Sequence, residues 1–423
     1  MKKVMLKTTL SLAVGLISTQ LFASGFALNE QSVSGMGTGY AGRSSSAEDA
    51  STVVGNPAGM SKLKRQEVSI GVAAIDASTD IKHASGQPGS TNDGDMVPAT
   101  FVPMGYYVKP IDDHWAFGLG VYAPFGLVTD YEKSFQGRYY GDKSKVSVIT
   151  VQPTVSYKIN DYVAVGFGPT FNHIKGELTS ALQLNPAGTN DGKARINGQD
   201  NAWGYTAGIL VTPIESTQVG LTYHSKVTYK LEGNTKYSGA NPAFAFNGGK
   251  YDGSLDLDTP ESADFSVTHK LNDDWTLYAG STWTRWSRLK DITVQNEGVP
   301  AFLGGNAGPL GRISEQENWH DTWAHAIGAA YRLNKQIVLR AGYSVDQSPT
   351  NNTDRSVRIP TGDRRIISFG AGWSPTEDMT IDVAYSYLKE ESVSINDTGK
   401  GAPYSASYHN SANGFGTSLT YRF

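Results

Sequence analysis

Through most of this chain, polarity alternates from one residue to the next, and a side-chain period of two belongs to β-strands. The last nine residues show it plainly. Phe415, Thr417, Leu419, Tyr421 and Phe423 alternate with Gly416, Ser418, Thr420 and Arg422. The pattern recurs at Ile337, Leu339, Ala341, Tyr343 and Val345, and at Ile381, Val383, Tyr385 and Tyr387. It recurs again at Val219, Leu221, Tyr223, Val227 and Tyr229, against Thr222, His224, Lys226, Thr228 and Lys230. No segment beyond the N-terminus approaches the roughly 18 consecutive apolar residues of a membrane helix. If the mature chain enters a bilayer, it does so as strands.

A soluble β-sandwich alternates too. Here the polar face carries charge in mid-strand, at Arg340, Lys226 and Asp382. A packed sandwich core would strand those charges, whereas a wet barrel lumen accepts them. Aromatics collect near strand ends, at Tyr157, Trp275, Trp323, Tyr331, Trp373 and Tyr387, where a membrane barrel wears its interfacial girdles. The absence of cysteine excludes disulfides, thiolate metal sites and a cysteine nucleophile. A formal charge of -4 gives no electrostatic reason for a nucleic-acid partner.

Turn chemistry supplies the strand count. Pro110–Asp113, Asn160-Asp161, Pro213–Ser216, Asn272–Asp274, Asn334-Lys335 and Pro375–Asp378 each sit between alternating runs. Longer polar stretches separate them, at Gly176–Asp200, Glu232–Gly253 and Asp291–Asn318. Short periplasmic turns alternating with long external loops are the outer-membrane pattern. Six turns divide residues 66–423 into seven hairpins, hence an all-β transmembrane antiparallel barrel of 14 strands. Residues 1–23 read as a secretory signal: Lys2, Lys3 and Lys7, a short apolar stretch, and Ala23 before the cut. Residues 24–65 do not alternate. Their Gly, Ser and Ala fit either a disordered tail or a plug inside the lumen.

The opening Ser24-Gly25-Phe26-Ala27-Leu28-Asn29-Glu30, the Gly35–Gly42 stretch, and Glu48-Asp49-Ala50 leading to Asn56-Pro57-Ala58 resemble the N-terminal hatch of the FadL family, outer-membrane long-chain fatty-acid transporters of Gram-negative bacteria (the OmpP1/FadL/TodX type). Similarity continues through Val163–Gly168, Tyr278–Lys290, Asp321–Gly328 and Arg355–Arg364. The resemblance implies a 14-stranded barrel plugged by residues 24–65. It implies diffusion of ligand from an external capture site to an internal one, and exit sideways through the wall into membrane lipid. The hatch turn is then Asn56, Pro57 and Ala58. The side opening is Pro124, Phe125 and Gly126, where the alternation of Trp115–Val121 breaks and where the family has a kinked strand.

A fatty acid needs an apolar channel for its tail and a cation or donors for its carboxylate. The strand phase points Arg288, Lys290 and His320 inward near the external end, as head-group partners. Ser180 stands where the resemblance leads one to expect an Arg, so either Arg288 or Lys175 substitutes or the ligand is less acidic. Phe26 and Leu28 are the bulky apolar residues at the start of the mature chain; the resemblance implies that this segment reaches into the ligand pocket, the alternative being that Phe26 pins the plug to the wall. Leu182 and its neighbours in one long loop, and Phe244 in the next, form apolar sets suited to external capture. No hydrolase, metal-ligand or nucleotide motif is present, so no enzyme, metal or cofactor is expected. Uptake of neutral hydrocarbons by the same fold is the alternative, and a barrel hydrolase a more distant one. The expected partners are a long-chain fatty acid or similar hydrophobic ligand and outer-membrane lipid, with the chain acting as a monomer.

Overall fold

Residues 25–239 and 247–423 are described in the computed structural model. The expected signal segment and Phe244 lie outside them. Fourteen strands form one antiparallel sheet. The first six are β1 (Glu67–Ser85), β2 (Thr100–Pro110), β3 (Trp115–Asp130), β4 (Lys143–Lys158), β5 (Val163–Leu182) and β6 (Gly192–Ile214). The next four are each interrupted once: β7 (Thr217–His224, then Val227–Ser238), β8 (Lys250–Thr259, then Ser262–Lys270), β9 (Trp275–Thr284, then Asp291–Glu297) and β10 (Arg312–Gln316, then Thr322–Arg332). β11 (Ile337–Asp346), β12 (Arg364–Thr376), β13 (Met379–Glu390, then Val393–Asp397) and β14 (Tyr404–Arg422) complete the wall. β14 pairs back onto β1, from Glu67 opposite Arg422 to Ser85 opposite Ser405. The ring therefore closes, with no first or last strand left unpaired.

The tight turns at one end are held by side chains acting as local acceptors. Asp112 Oδ1 receives the backbone N–H groups of His114 and Trp115 at 2.8 and 2.7 Å. Asn160 does the same for Tyr162 and Val163, Asn272 for Asp274 and Trp275, and Asn334 for Gln336 and Ile337. This is why Asx residues mark these corners. Phe423 donates its N–H to Gln66 O at 2.8 Å, so both ends of the barrel sequence meet at the turn side.

The other end departs from the expected loops. Most of Gly176–Asp200, much of Glu232–Gly253 and parts of Asp291–Asn318 are strand. The reason lies in the solvent. Inside the membrane the outward face must be apolar: Leu221, Phe265, Ile327 and Leu419 are exposed. Above it the barrel continues into water, so the rule reverses, polar out and apolar in. Val227 and Tyr229 show the switch. Simple alternation groups them with outward-facing Leu221, yet both are buried inside. The break at Ser225-Lys226 shifts the phase, with Ser225 Oγ accepting the Tyr205 N–H at 2.9 Å.

Residues 25–65 pack within the ring, with helices at Val33–Gly37 and Thr52–Gly55 and a 3-10 turn at Pro57–Lys62. Asn56 caps that turn. Its Oδ1 accepts the Ala58 N–H at 3.0 Å, and its Nδ2 donates to Ser44 O and to Ile209 O of β6 at 2.7 and 3.0 Å. Pro57 takes the first helical position, where a missing N–H costs nothing. On the far wall Arg340 joins Glu48 at 2.6 Å and Asp382 at 2.7 Å. Tyr278 donates to Glu48 at 2.7 Å. Wall glycines allow this close fit: a Cβ at Gly220 would stand 1.8 Å from Ser44 O, and one at Gly342 2.1 Å from the Thr38 carbonyl carbon.

Candidate functional site

Above the membrane, the inward apolar residues of β4 to β9 converge on one cavity. Val146, Ile174, Leu178, Ile196, Leu231 and Val294 supply its walls, and Phe26 closes its base. Its free volume is about 70 Å³. That holds a handful of water molecules and far less than a long acyl chain.

Phe26 is buried in an aromatic cluster. Its ring centroid lies 4.9 Å from that of Trp286, 6.0 Å from Trp319 and 5.7 Å from Phe125. Trp286 is fully buried, and its indole N–H has no partner among the described residues. Leu28 is buried as well, but in the separate core that joins the N-terminal segment to β1–β3. The Phe26 backbone has a second task. The last β2–β3 pair is Gly105 opposite Val121, so β3 continues upward with no β2 beside it. Residues 26–28 occupy that edge. Leu28 donates to Pro124 O and Gly126 donates to Phe26 O, each at 2.8 Å, with Ala27 opposite Phe125. Pro124 has no N–H for a neighbour, and the β3–β4 register shifts between Tyr122 and Phe125. Above Val121, β3 therefore pairs with residues 26–28 in place of β2.

Two ionisable side chains line this cavity, Arg358 and Glu317. Arg358 Nε bonds Glu315 at 3.2 Å. Its Nη1 reaches Ser144 Oγ at 3.0 Å and the carbonyls of Lys143 and Thr179 at 3.2 Å. Its Nη2 has no hydrogen-bond partner among the described residues. Glu317 accepts the Trp319 indole N–H at 3.0 Å through Oε2, while Oε1 is buried without a partner. Burial, and then the nearby Glu315 charge, push the Glu317 carboxyl well above the usual range.

The other residues singled out in the sequence fall elsewhere. Arg288 forms a two-point pair with Glu261, at 3.1 and 2.7 Å, and does not line the cavity. Lys290 and His320 are exposed. Strand phase aims these three inward only along unbroken strands, and the wall is interrupted at 285–290 and 317–321. Leu182 ends β5 and is not in the lining, whereas Leu178 of the same apolar set is. Arg358, Glu317, Trp286 and Trp319 carried no assignment. A pair of tryptophans flanking interrupted alternation, with an acid two residues before one of them, was the signal available.

The model of the family described as outer membrane protein transport protein (OMPP1/FadL/TodX) matches residues 14–423. The chain is 28% identical over 460 residues to the long-chain fatty acid transport protein of Escherichia coli K12, covering 100% of this chain and 99% of that one. It is 29% identical to outer membrane protein P1 of Haemophilus influenzae Rd, with 95% of each chain covered. The crystal structure of a Pseudomonas aeruginosa FadL homologue superimposes with a TM-score of 0.84 at 26% identity, covering 95% of this chain and 100% of that one. The Pseudomonas putida toluene transporter TodX shares the fold, with a TM-score of 0.69 at 18% identity over 88% of this chain and 94% of the other.

Proposed function

The chain belongs to the OmpP1/FadL/TodX family of outer-membrane transport proteins of Gram-negative bacteria, and from that premise we propose that it carries long-chain fatty acids inward and releases them sideways into the membrane through the gap at the β3 kink. The family transports hydrophobic compounds and is not a family of enzymes. The chemistry of the lining supports a ligand with a long apolar tail.

One observation carries the proposal. The Phe26 side chain seals the cavity while the backbone of the same residue closes the β3 edge. A tail that pushes Phe26 aside also strains the hydrogen bonds that plug the wall. Capture and exit are then one event. The downward path is unattractive to an apolar molecule, because below the cavity stand Glu48, Arg340 and Asp382. The head group would sit at Arg358 and Glu317, with Arg358 Nη2 donating to the carboxylate and a protonated Glu317 donating from Oε1.

The same pair also favours a second reading, a neutral hydrophobic ligand. Glu315 already engages Arg358, and an ionised Glu317 would repel a carboxylate. Comparing oleate with an alkane of equal length on purified protein separates the two. For the route, Gly126→Trp should abolish oleate uptake by cells while the purified variant still binds oleate. Normal uptake by a correctly folded Gly126→Trp barrel would remove the lateral route.

A further inference from the structure

On the outer surface of β4–β7, just above the membrane, lies a recess of about 660 Å³ whose chemistry is unlike the apolar cavity inside. Its level follows from the strand register. Outward-facing Val151, Phe171 and Trp203 lie side by side on β4, β5 and β6, with the Phe171 and Trp203 rings 5.2 Å apart at their centroids. They form this face's share of the upper aromatic belt. Four residues further up, Ser147, Lys175 and Gln199 are aligned, and Glu232 of β7 pairs with Gln199. Lys145 is two residues higher still. At 3.3 Å per residue and a tilt of about 45°, Lys175 stands roughly 9 Å above the belt, at head-group height.

Inward-facing glycines shape the recess. Gly176, Gly198 and Gly233 lie opposite one another on β5, β6 and β7, so the wall here carries no inward side chain of its own and Leu231 packs directly against it. A Cβ at Gly233 would come within 1.9 Å of Asn197 O. The wall folds in here and its outer face becomes concave. Lys145 and Lys175 border the hollow, and neither ammonium has an ion-pair partner among the described residues. Glu177, the acid nearest them, is taken by Arg195 at 2.8 Å. Gln199, Asn234 and Glu232 add acceptors on the β6–β7 side.

We propose that this recess seats the phosphorylated sugar head group of an outer-leaflet glycolipid. The two lysines would take the phosphate, and Glu232, Gln199 and Asn234 the sugar hydroxyls. A bare phospholipid satisfies the lysines and leaves the β7 acceptors unused. The site anchors surrounding lipid and is independent of the transported ligand, which the inner face binds.

The test uses the purified full-length protein in detergent and native mass spectrometry. The probe is an acylated, phosphorylated glucosamine disaccharide, with phosphatidylglycerol in a parallel titration. Lys145→Ala with Lys175→Ala should weaken glycolipid binding by about tenfold, equivalent to one charge-assisted contact. The double Lys→Arg variant should retain it, and both should bind oleate as the parent does, which checks folding. Unchanged glycolipid binding by the double alanine variant would overturn the proposal. Equal affinity of the parent for phosphatidylglycerol would also overturn it, since the sugar would then contribute nothing.

Discussion

An ionised Glu317 and a ligand carboxylate cannot share one apolar cavity without strong repulsion, so binding should depend on pH. The folded-state pKa of Glu317 is raised by burial and by Glu315. Stability associated with its neutral form is therefore complete below the ordinary glutamate range and is lost as pH rises through the raised value. Arg358 and Lys400 are the cations that oppose this shift. Oleate affinity should follow the same curve, strong at low pH and falling as Glu317 ionises. Glu317→Gln should flatten that fall in a binding titration followed from acid to alkaline pH, with a neutral alkane as control. An oleate affinity whose pH dependence is the same in the parent and in Glu317→Gln would remove Glu317 from the head-group site. The two arginines separate the site from its surroundings. Arg358→Gln should weaken oleate binding by about 1–3 kcal/mol, the worth of a hydrogen bond to a charged group. Arg288→Gln should leave it nearly unchanged, because Glu261 already occupies that guanidinium. Similar losses for both would show that the cavity responds to general charge.

At the scale of elements, the N-terminal segment holds its place because the wall makes room for it. Gly220 of β7 touches the Ser44 carbonyl, and nearby Ser266 and Thr268 of β8 bond Ser44 and Ser45. Gly220→Val should push the segment inward while leaving the strands paired. The expected result is a barrel that still migrates as a heat-modifiable band but in which residues 25–65 are cut by protease. Protection equal to the parent would mean that the segment does not depend on this seat. Elements were also where the sequence was most and least readable. The membrane-depth strands and their turns follow from the dyad and from Asp112, Asn160, Asn272 and Asn334, since lipid outside and polar lumen inside impose one rule on every strand. Beyond the membrane that rule reverses, so Leu178, Ile196 and Val294 looked like loop and proved to be cavity wall. Asn56-Pro57-Ala58 was legible because its turn is local. The pairing of residues 26–28 with Pro124 and Gly126 was not, because it joins segments about a hundred residues apart and leaves no periodic trace.

For the whole molecule, the proposed route joins the apolar cavity to the β3 edge through one segment, residues 26–28. On the proposed route, with Phe26 lining the cavity and residues 26–28 bonded to the β3 edge, transport would displace that segment. Pinning them there is the most direct test. Ala27 and Phe125 face each other across an antiparallel bridge, a spacing a disulfide spans, and the chain has no cysteine of its own. The measurement is oleate uptake by cells carrying Ala27→Cys with Phe125→Cys, before and after reduction. The account predicts little uptake while the crosslink is intact and recovery when it is reduced, with each single variant transporting throughout. Undiminished uptake through a fully crosslinked barrel would contradict it.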